Sequence, residues 1–132
     1  MPVVTALYAG LLGLVAIAIA FRAGSLRGKL NVSIGDGGSR ELLLAMCRHA
    51  NFAEWVPIAL ILIALLEMNG VSTRAIHVLG AALVISRISH AVGIKAETMK
   101  GAGRFIGAAG TALITLVASV WAIVVFLQHA HL

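Results

Sequence analysis

Four long apolar stretches, separated by shorter polar ones, dominate the chain. They cover approximately residues 3–22, 40–68, 72–92 and 104–128. Each is long enough for a helix that crosses the hydrocarbon core of a bilayer, which needs about 20 residues. Short connections place consecutive helices side by side in opposite directions. The pattern therefore predicts an all-α fold: an antiparallel, up-down four-helix membrane bundle, formed as a single domain by residues 1–132.

The connections carry the usual signals for helix ends. Residues 23–40 are predicted to form a polar loop that contains a Gly-Asp-Gly-Gly turn. Ser39 is placed to cap the second helix, and an Asn-Gly pair at residues 69–70 to end it. Residues 94–103 are predicted to form a second loop, which is basic and contains glycine. Small residues in the first helix, including Gly10 and Gly13, are of the kind that lets membrane helices approach closely.

Composition supports an integral membrane protein. Hydrophobic residues make up 61% of the 132 residues and charged residues 11%, and the mean hydropathy is +1.03. A soluble domain of this size needs far more polar surface. The formal net charge of +5 comes from dispersed basic residues, without the basic patch that nucleic-acid binding requires. Cys47 is the single cysteine, which argues against a thiol–disulfide oxidoreductase, because that chemistry needs a pair of thiols.

Basic residues are distributed unequally between the two sides of the predicted bundle. The side of the two loops carries seven of them, namely Arg22, Arg27, Lys29, Arg40, Lys95, Lys100 and Arg104. The side of the two termini has only Arg74 near it. Because Lys and Arg are enriched in cytoplasmic loops, this bias places loops 23–40 and 94–103 in the cytoplasm and both termini outside. No basic region precedes the first apolar stretch, so residues 3–21 are predicted to remain as a helix rather than be removed as a signal peptide.

A polar cluster interrupts the second apolar stretch. At 100° per residue, Arg48, Asn51 and Glu54 lie within about 120° of one another, on one face of a helix. Charged groups at membrane depth cost a few kcal/mol each, so they usually face a bundle interior or a water-filled site. Pro57 follows the cluster and is expected to weaken the helix there by removing a backbone hydrogen bond.

Three further polar residues accompany this cluster. Arg87 and His90 lie one turn apart near the end of the third helix, and Arg104 lies where the fourth helix begins. Antiparallel packing brings them to the depth of the second-helix cluster. We therefore predict an electropositive pocket at the loop side, with Glu54 available for an ammonium group. Its predicted basic and amide lining is Arg48, Asn51, Arg87 and Arg104.

Simpler roles compete with this prediction. Glu54 paired with Arg48 or Arg87 would neutralise the charges and set the helix register without binding any ligand. His77 is interpreted as a residue at the outer membrane surface. No histidine has the spacing of a metal ligand, so no metal site is predicted.

The segment His-Ala-Asn-Phe-Ala-Glu-Trp-Val-Pro at residues 49–57 resembles the second-helix signature of the MAPEG family, the membrane-associated proteins of eicosanoid and glutathione metabolism. That signature reads roughly Arg-x-x-x-Asn-x-x-Glu-aromatic-x-Pro. It matches this chain at Asn51, Glu54, Trp55 and Pro57. The segment Ser-Arg-Ile-Ser-His at residues 86–90 looks like the third-helix segment of the family. The Gly-Asp-Gly-Gly turn resembles the small bacterial branch, which implies a bacterial inner membrane.

The resemblance implies a homotrimer with glutathione bound between neighbouring subunits. Arg104 resembles the position of the arginine credited with activating the glutathione thiol, so it is the expected catalytic residue. The expected glutathione ligands are Arg48, Asn51, Glu54, Arg87 and His90. The chain departs from the family at three positions. Cys47 occupies the position of the family's arginine, with Arg48 one place later, and His90 and Ile94 stand where tyrosines are common.

Three functions remain open. The first is a glutathione-dependent transferase or peroxidase that acts on lipophilic small molecules arriving through the lipid bilayer. The second is a non-catalytic relative that binds an amphipathic ligand or a partner helix. The third is a small proton-coupled exporter. Exporters of that kind carry an essential carboxylate in their first helix, and residues 3–22 contain none.

Overall fold

The computed structural model describes residues 1–95 and 101–129. It contains four helices: α1 (Val3–Leu30), α2 (Arg40–Met68), α3 (Thr73–Gly93) and α4 (Ala102–His129). All four are long and apolar enough to cross a membrane. The prediction of an all-α, four-helix membrane protein is therefore confirmed. The last three helices begin and end within two residues of the predicted boundaries.

The four helices form a bundle in which α2 and α3 are central. Each of these two contacts all three other helices, whereas α1 and α4 do not touch within the described residues. Apolar side chains fill the centre, among them Leu12, Phe52, Ile63, Leu83 and Ile114. The end of the bundle with residues 31–39, 94–95 and 101 is called the loop end below, and the opposite end the terminal end.

The first helix is longer than predicted, and the loop predicted for residues 23–40 begins only at Asn31. Glycine and serine in residues 23–30 favour a loop, but tertiary contacts outweigh this preference. Leu26 is buried in a small cluster with Leu42 of α2. The guanidinium of Arg27 donates hydrogen bonds to the carbonyl oxygens of Ser33 and Gly35, at 3.1 and 3.0 Å. These contacts hold the last two turns of α1 against the loop that follows.

The predicted cap of α2 is confirmed. The hydroxyl oxygen of Ser39 accepts a hydrogen bond from the backbone N–H of Leu42 at 3.3 Å. Pro57 lies inside α2, which continues for eleven further residues to Met68. The helix therefore carries the polar cluster and the apolar half of the span in one element.

Close packing of α3 against α4 depends on glycines of α4. A Cβ atom at Gly107 would lie 2.5 Å from the carbonyl oxygen of Ser86, and one at Gly110 would overlap the Ser86 hydroxyl. The small residues of α1 behave differently, because a Cβ atom at Gly10 or Gly13 would meet nothing within 4 Å. The expectation that these two glycines permit a close helix contact is wrong within this chain. The close approach lies between α3 and α4.

At the terminal end, a side chain of α2 caps the start of α1. The carboxylate of Glu67 accepts hydrogen bonds from the backbone N–H groups of Val4 and Thr5, at 2.8 and 2.7 Å. It also accepts one from the Thr5 hydroxyl at 2.6 Å. The N-cap residue Pro2 makes no side-chain cap of its own. Glu67 thus satisfies amide groups that a helix start otherwise leaves unpaired.

Candidate functional site

The polar residues predicted to share one pocket lie in three environments. Arg87 is buried between α2, α3 and α4, whereas Arg48 lines a groove between α1 and α3. Arg104 lines a cavity between the loop ends of α2 and α4. Arg48 and Arg104 are separated because the Cys47 face of α2 lines the cavity with Arg104, whereas Arg48, about 100° further round the helix, lines the groove against α1 and α3.

Arg87 is the largest fully buried side chain, with 1% of its surface exposed. Its Nη2 donates to the side-chain oxygen of Asn51 at 2.6 Å, and its Nη1 to the hydroxyl of Thr111 at 3.3 Å. The guanidinium carbon lies 5.6 Å from the centre of the Phe52 ring, within the range of a cation–π contact. Neutral groups from two helices, α2 and α4, therefore hold this buried cation of α3.

Two buried polar nitrogens near this network have no hydrogen-bond partner in the part of the chain that the structure describes. They are Nε of Arg87 and Nδ1 of His90. His90 is 4% exposed and lies one turn after Arg87 on α3, against Gly107 of α4. A second guanidinium, that of Arg48, donates from Nη2 to the carbonyl oxygen of Ile94 at 2.8 Å. This bond attaches α2 to the end of α3.

Arg104 lines a cavity of about 300 Å³ at the loop end. Two other cationic side chains, Arg40 and Lys95, share that cavity with it, and Cys47 lies on its wall. Leucines 43 and 44 and Ile94 supply the apolar part of the lining. The cavity is therefore basic and amphipathic, and it opens at the side of the bundle where the predicted loops lie.

Glu54 faces outward. It is exposed on α2, and it forms no ion pair within the described residues. Glu54 follows Cys47 by seven residues, so the two lie on the same face of α2, about 10 Å apart along its axis. Asn51 lies between them on nearly the same face. The alternative in which Glu54 neutralises Arg48 or Arg87 is not what the structure shows.

Sequence reasoning missed several residues of these environments. Thr111 follows Arg104 by seven residues, and Arg40 precedes Cys47 by seven, so each pair shares a helix face. This seven-residue spacing could have identified Thr111 and Arg40 as candidate site residues from the sequence. The ion pair between Arg22 of α1 and Glu41 of α2 gave no such signal, because it depends on how the two helices pack.

The described residues contain no group of three His, Cys, Asp or Glu side chains that could hold a metal ion. His131 in the C-terminal tail and Lys100 in the second loop lie outside the described residues. His77, interpreted from the sequence as a surface residue, is exposed, and its Nδ1 lies 2.8 Å from the Tyr8 hydroxyl oxygen.

Four helices long and apolar enough to span a membrane, with a buried arginine network and a basic cavity at one end, define an integral membrane protein. A profile of the MAPEG family matches residues 5–124. The inner membrane protein YecN of Escherichia coli strain K12 is 35% identical over 119 residues, covering 89% of this chain and 91% of YecN. YecN of Escherichia coli O6:H1 strain CFT073 matches equally well. No solved structure matches significantly.

The chain therefore belongs to the MAPEG family, and the resemblance carried by residues 49–57 is confirmed. Family membership makes it a membrane protein of the glutathione and eicosanoid metabolism family.

Proposed function

We propose that the protein binds glutathione at its loop end and uses Arg104 to stabilise the thiolate for attack on lipophilic electrophiles. The observation that carries this proposal is the cavity shared by Arg40, Lys95 and Arg104 in a chain of this family. Glutathione has two carboxylates and one ammonium group. Three cations in one cavity suit an anionic peptide of this kind, because hydrogen bonds between ionised groups are among the strongest in proteins.

The remaining polar groups of α2 fit the rest of the ligand. Glu54 lies exposed on the face that carries Cys47, deeper in the membrane than the basic cavity, and suits the ammonium group. Asn51 lies on nearly the same face, and its side-chain oxygen accepts a hydrogen bond from Arg87. We therefore assign Arg87 to positioning Asn51. His90 lies beside this network, and its role as a ligand stays a prediction, as does that of Arg48.

The volume of the cavity supports a shared site. Small-molecule pockets usually enclose about 300–1,000 Å³, and this cavity lies at the lower limit with about 300 Å³. In our proposal a neighbouring copy of the chain encloses the rest of the peptide, in a homotrimer. The thiol then lies near Arg104, where positive charge favours the thiolate, the nucleophilic form. The electrophile enters from the surrounding lipid.

One observation favours a non-catalytic variant of this function. Cys47 lines the cavity where the family's arginine is expected, and Arg48 faces a different groove. A site that lacks this arginine retains the cations for binding and has fewer groups to orient the thiol. This second candidate binds glutathione or a similar amphipathic anion without turnover.

Calorimetry and a conjugation assay separate the candidates. Purified protein in detergent is titrated with millimolar glutathione and then assayed with chlorodinitrobenzene. We expect Arg40→Gln to weaken binding. Arg104→Gln should lower the conjugation rate at saturating glutathione by about 100-fold, the scale for losing one group that stabilises developing charge. Arg74→Gln, at the terminal end, is the matched control. Binding without conjugation supports the non-catalytic candidate, and absence of binding refutes glutathione as the ligand in both candidates.

We further propose that the protein lies in an inner membrane, as the name of its relative YecN indicates for that protein, with the loop end in the cytoplasm. Basic residues at the loop end support this orientation. Alkaline phosphatase fused after residue 129 is then active, and fused in the loop at Ser33 it is inactive. The reverse pattern contradicts the orientation.

A further inference from the structure

A groove between α1 and α3 lies apart from the basic cavity that carries the proposed glutathione site. It encloses about 460 Å³, and its floor is formed by Ala45 and Arg48 of α2. Its walls are apolar, with Ala18 and Ile19 on α1 and Ala91 on α3 among them. Ala18 is exposed, so the groove opens on the outer surface of the bundle.

Both charged groups of this groove lie at its loop end. Arg22 and Arg48 line it there, and the rest of its lining is apolar. Arg22 forms an ion pair with Glu41, in which both side chains remain 59% exposed. Within residues 1–95 and 101–129, Arg48 makes a single hydrogen bond, to the Ile94 carbonyl, and its Nε is buried without a partner. Arg22, Glu41 and Arg48 together leave one net positive charge at this end.

The depth of these arginines matches that of a lipid headgroup. Arg22 lies about 28 Å along α1 from Val3, at 1.5 Å per residue, and the hydrocarbon core of a bilayer is about 30 Å thick. If α1 enters the core near Val3, Arg22 lies where hydrocarbon meets phosphate. The apolar walls extend from there towards the middle of the membrane.

We propose that this groove binds an anionic glycerophospholipid, with its phosphate at Arg22 and Arg48 and one acyl chain along the apolar walls. Basic pockets between spanning helices on the cytoplasmic side are known to hold acidic headgroups. Two other occupants fit the groove less well. Free phosphate would leave its apolar walls uncovered, and a lipid without net charge would leave the positive charge of its loop end unbalanced. The orientation proposed above places this lipid in the cytoplasmic leaflet. The class of lipid is inferred from the charge and the apolar walls of the groove alone.

Native mass spectrometry of the full chain tests this proposal. Protein released from nanodiscs that contain equal amounts of phosphatidylglycerol and phosphatidylcholine should retain phosphatidylglycerol preferentially. Arg48→Gln should reduce that retention by about fivefold, the factor for one basic residue at an anionic surface. Arg74→Gln, which removes an exposed charge at the terminal end, should leave it unchanged.

Two further variants protect the test against misfolding. Ala18→Leu fills the groove from an exposed position and should abolish retention, while Ala112→Leu, exposed on α4 outside the groove, should not change it. Glu41→Gln frees Arg22 from its ion pair and should increase retention. Equal retention of both lipids, or retention unchanged by Ala18→Leu, overturns the proposal. A second copy of the chain seated in the groove would also overturn the proposal: neither lipid would be retained preferentially, and Ala18→Leu would lower the mass of the oligomer.

Discussion

Arg87 of α3 donates a hydrogen bond of 2.6 Å to the side-chain oxygen of Asn51 on α2, in a position where the arginine is 1% exposed. The pair joins the two central helices across the middle of the bundle. No acidic side chain accompanies it among the described residues, so the charge of Arg87 rests on neutral acceptors and on the Phe52 ring. The polar cluster of α2 is thereby tied to α3 before any ligand is present.

This bond predicts an unusual order of stabilities. Asn51→Leu leaves a buried guanidinium with one acceptor fewer, which should lower the free energy of unfolding by about 1–3 kcal/mol or more, because one partner is charged. Combining it with Arg87→Met removes the unpaired charge, so the double variant should be more stable than Asn51→Leu alone. Melting temperatures in detergent, without glutathione, give the comparison. A double variant less stable than Asn51→Leu alone would contradict this account.

The contact between α3 and α4 predicts a second effect on stability. Gly107→Ala places a methyl group 2.5 Å from the Ser86 carbonyl oxygen, so the two helices must separate and the protein should melt at a lower temperature. Gly13→Ala is the matched control on α1, where the added methyl group meets nothing within 4 Å. Alanine is favoured over glycine in a helix by about 1 kcal/mol, so this control should be neutral or slightly stabilising. Equal destabilisation by both substitutions would argue against the packing seen here.

The cap that Glu67 provides for α1 predicts local fraying. Glu67→Ala removes the acceptor for the amides of Val4 and Thr5, a change that typically costs about 0.5–2 kcal/mol at a helix start. Hydrogen exchange of the first turn of α1 should accelerate while exchange in α3 stays unchanged. Glu54→Gln removes an exposed carboxylate of the same helix and should affect neither. Unchanged exchange in Glu67→Ala would show that α1 is held by its apolar contacts alone.

These examples show where sequence reasoning succeeds and where it ends. The four spans follow from apolar runs of the length that a bilayer requires, and the Ser39 cap follows from local hydrogen bonding. The true end of α1 cannot be predicted in this way, because Leu26 and Arg27 hold its last turns through contacts with α2 and with the loop that follows. Local preferences cannot reveal such contacts.

The candidate site shows the same limit. Periodicity places Arg48, Asn51 and Glu54 within 120° on α2, but it does not say which neighbour lies opposite each residue. The structure turns Arg48 towards α1 and α3, Asn51 towards Arg87, and Glu54 outward. Only the helix arrangement decides these directions. The basic cavity likewise needs Arg40, Lys95 and Arg104 from three parts of the chain.

The position of Cys47 gives a direct measure of ligand occupancy. Its thiol is free and exposed, and it lines the cavity with Arg104. N-ethylmaleimide should therefore label the purified protein, and millimolar S-hexylglutathione, which has no free thiol, should slow that labelling by filling the cavity. The rate is followed as the mass increase of the intact chain over time.

A matched control separates occupancy of the cavity from a general effect of the additive. In Cys47→Ser combined with Ser33→Cys, the only thiol lies on an exposed loop residue outside the cavity. Its labelling should be equally fast with and without S-hexylglutathione. Arg104→Gln with Cys47 intact should lose much of the protection, because one cation of the cavity is gone. Labelling of Cys47 that is unaffected by the peptide at any concentration up to its solubility would place glutathione elsewhere on the protein or exclude it.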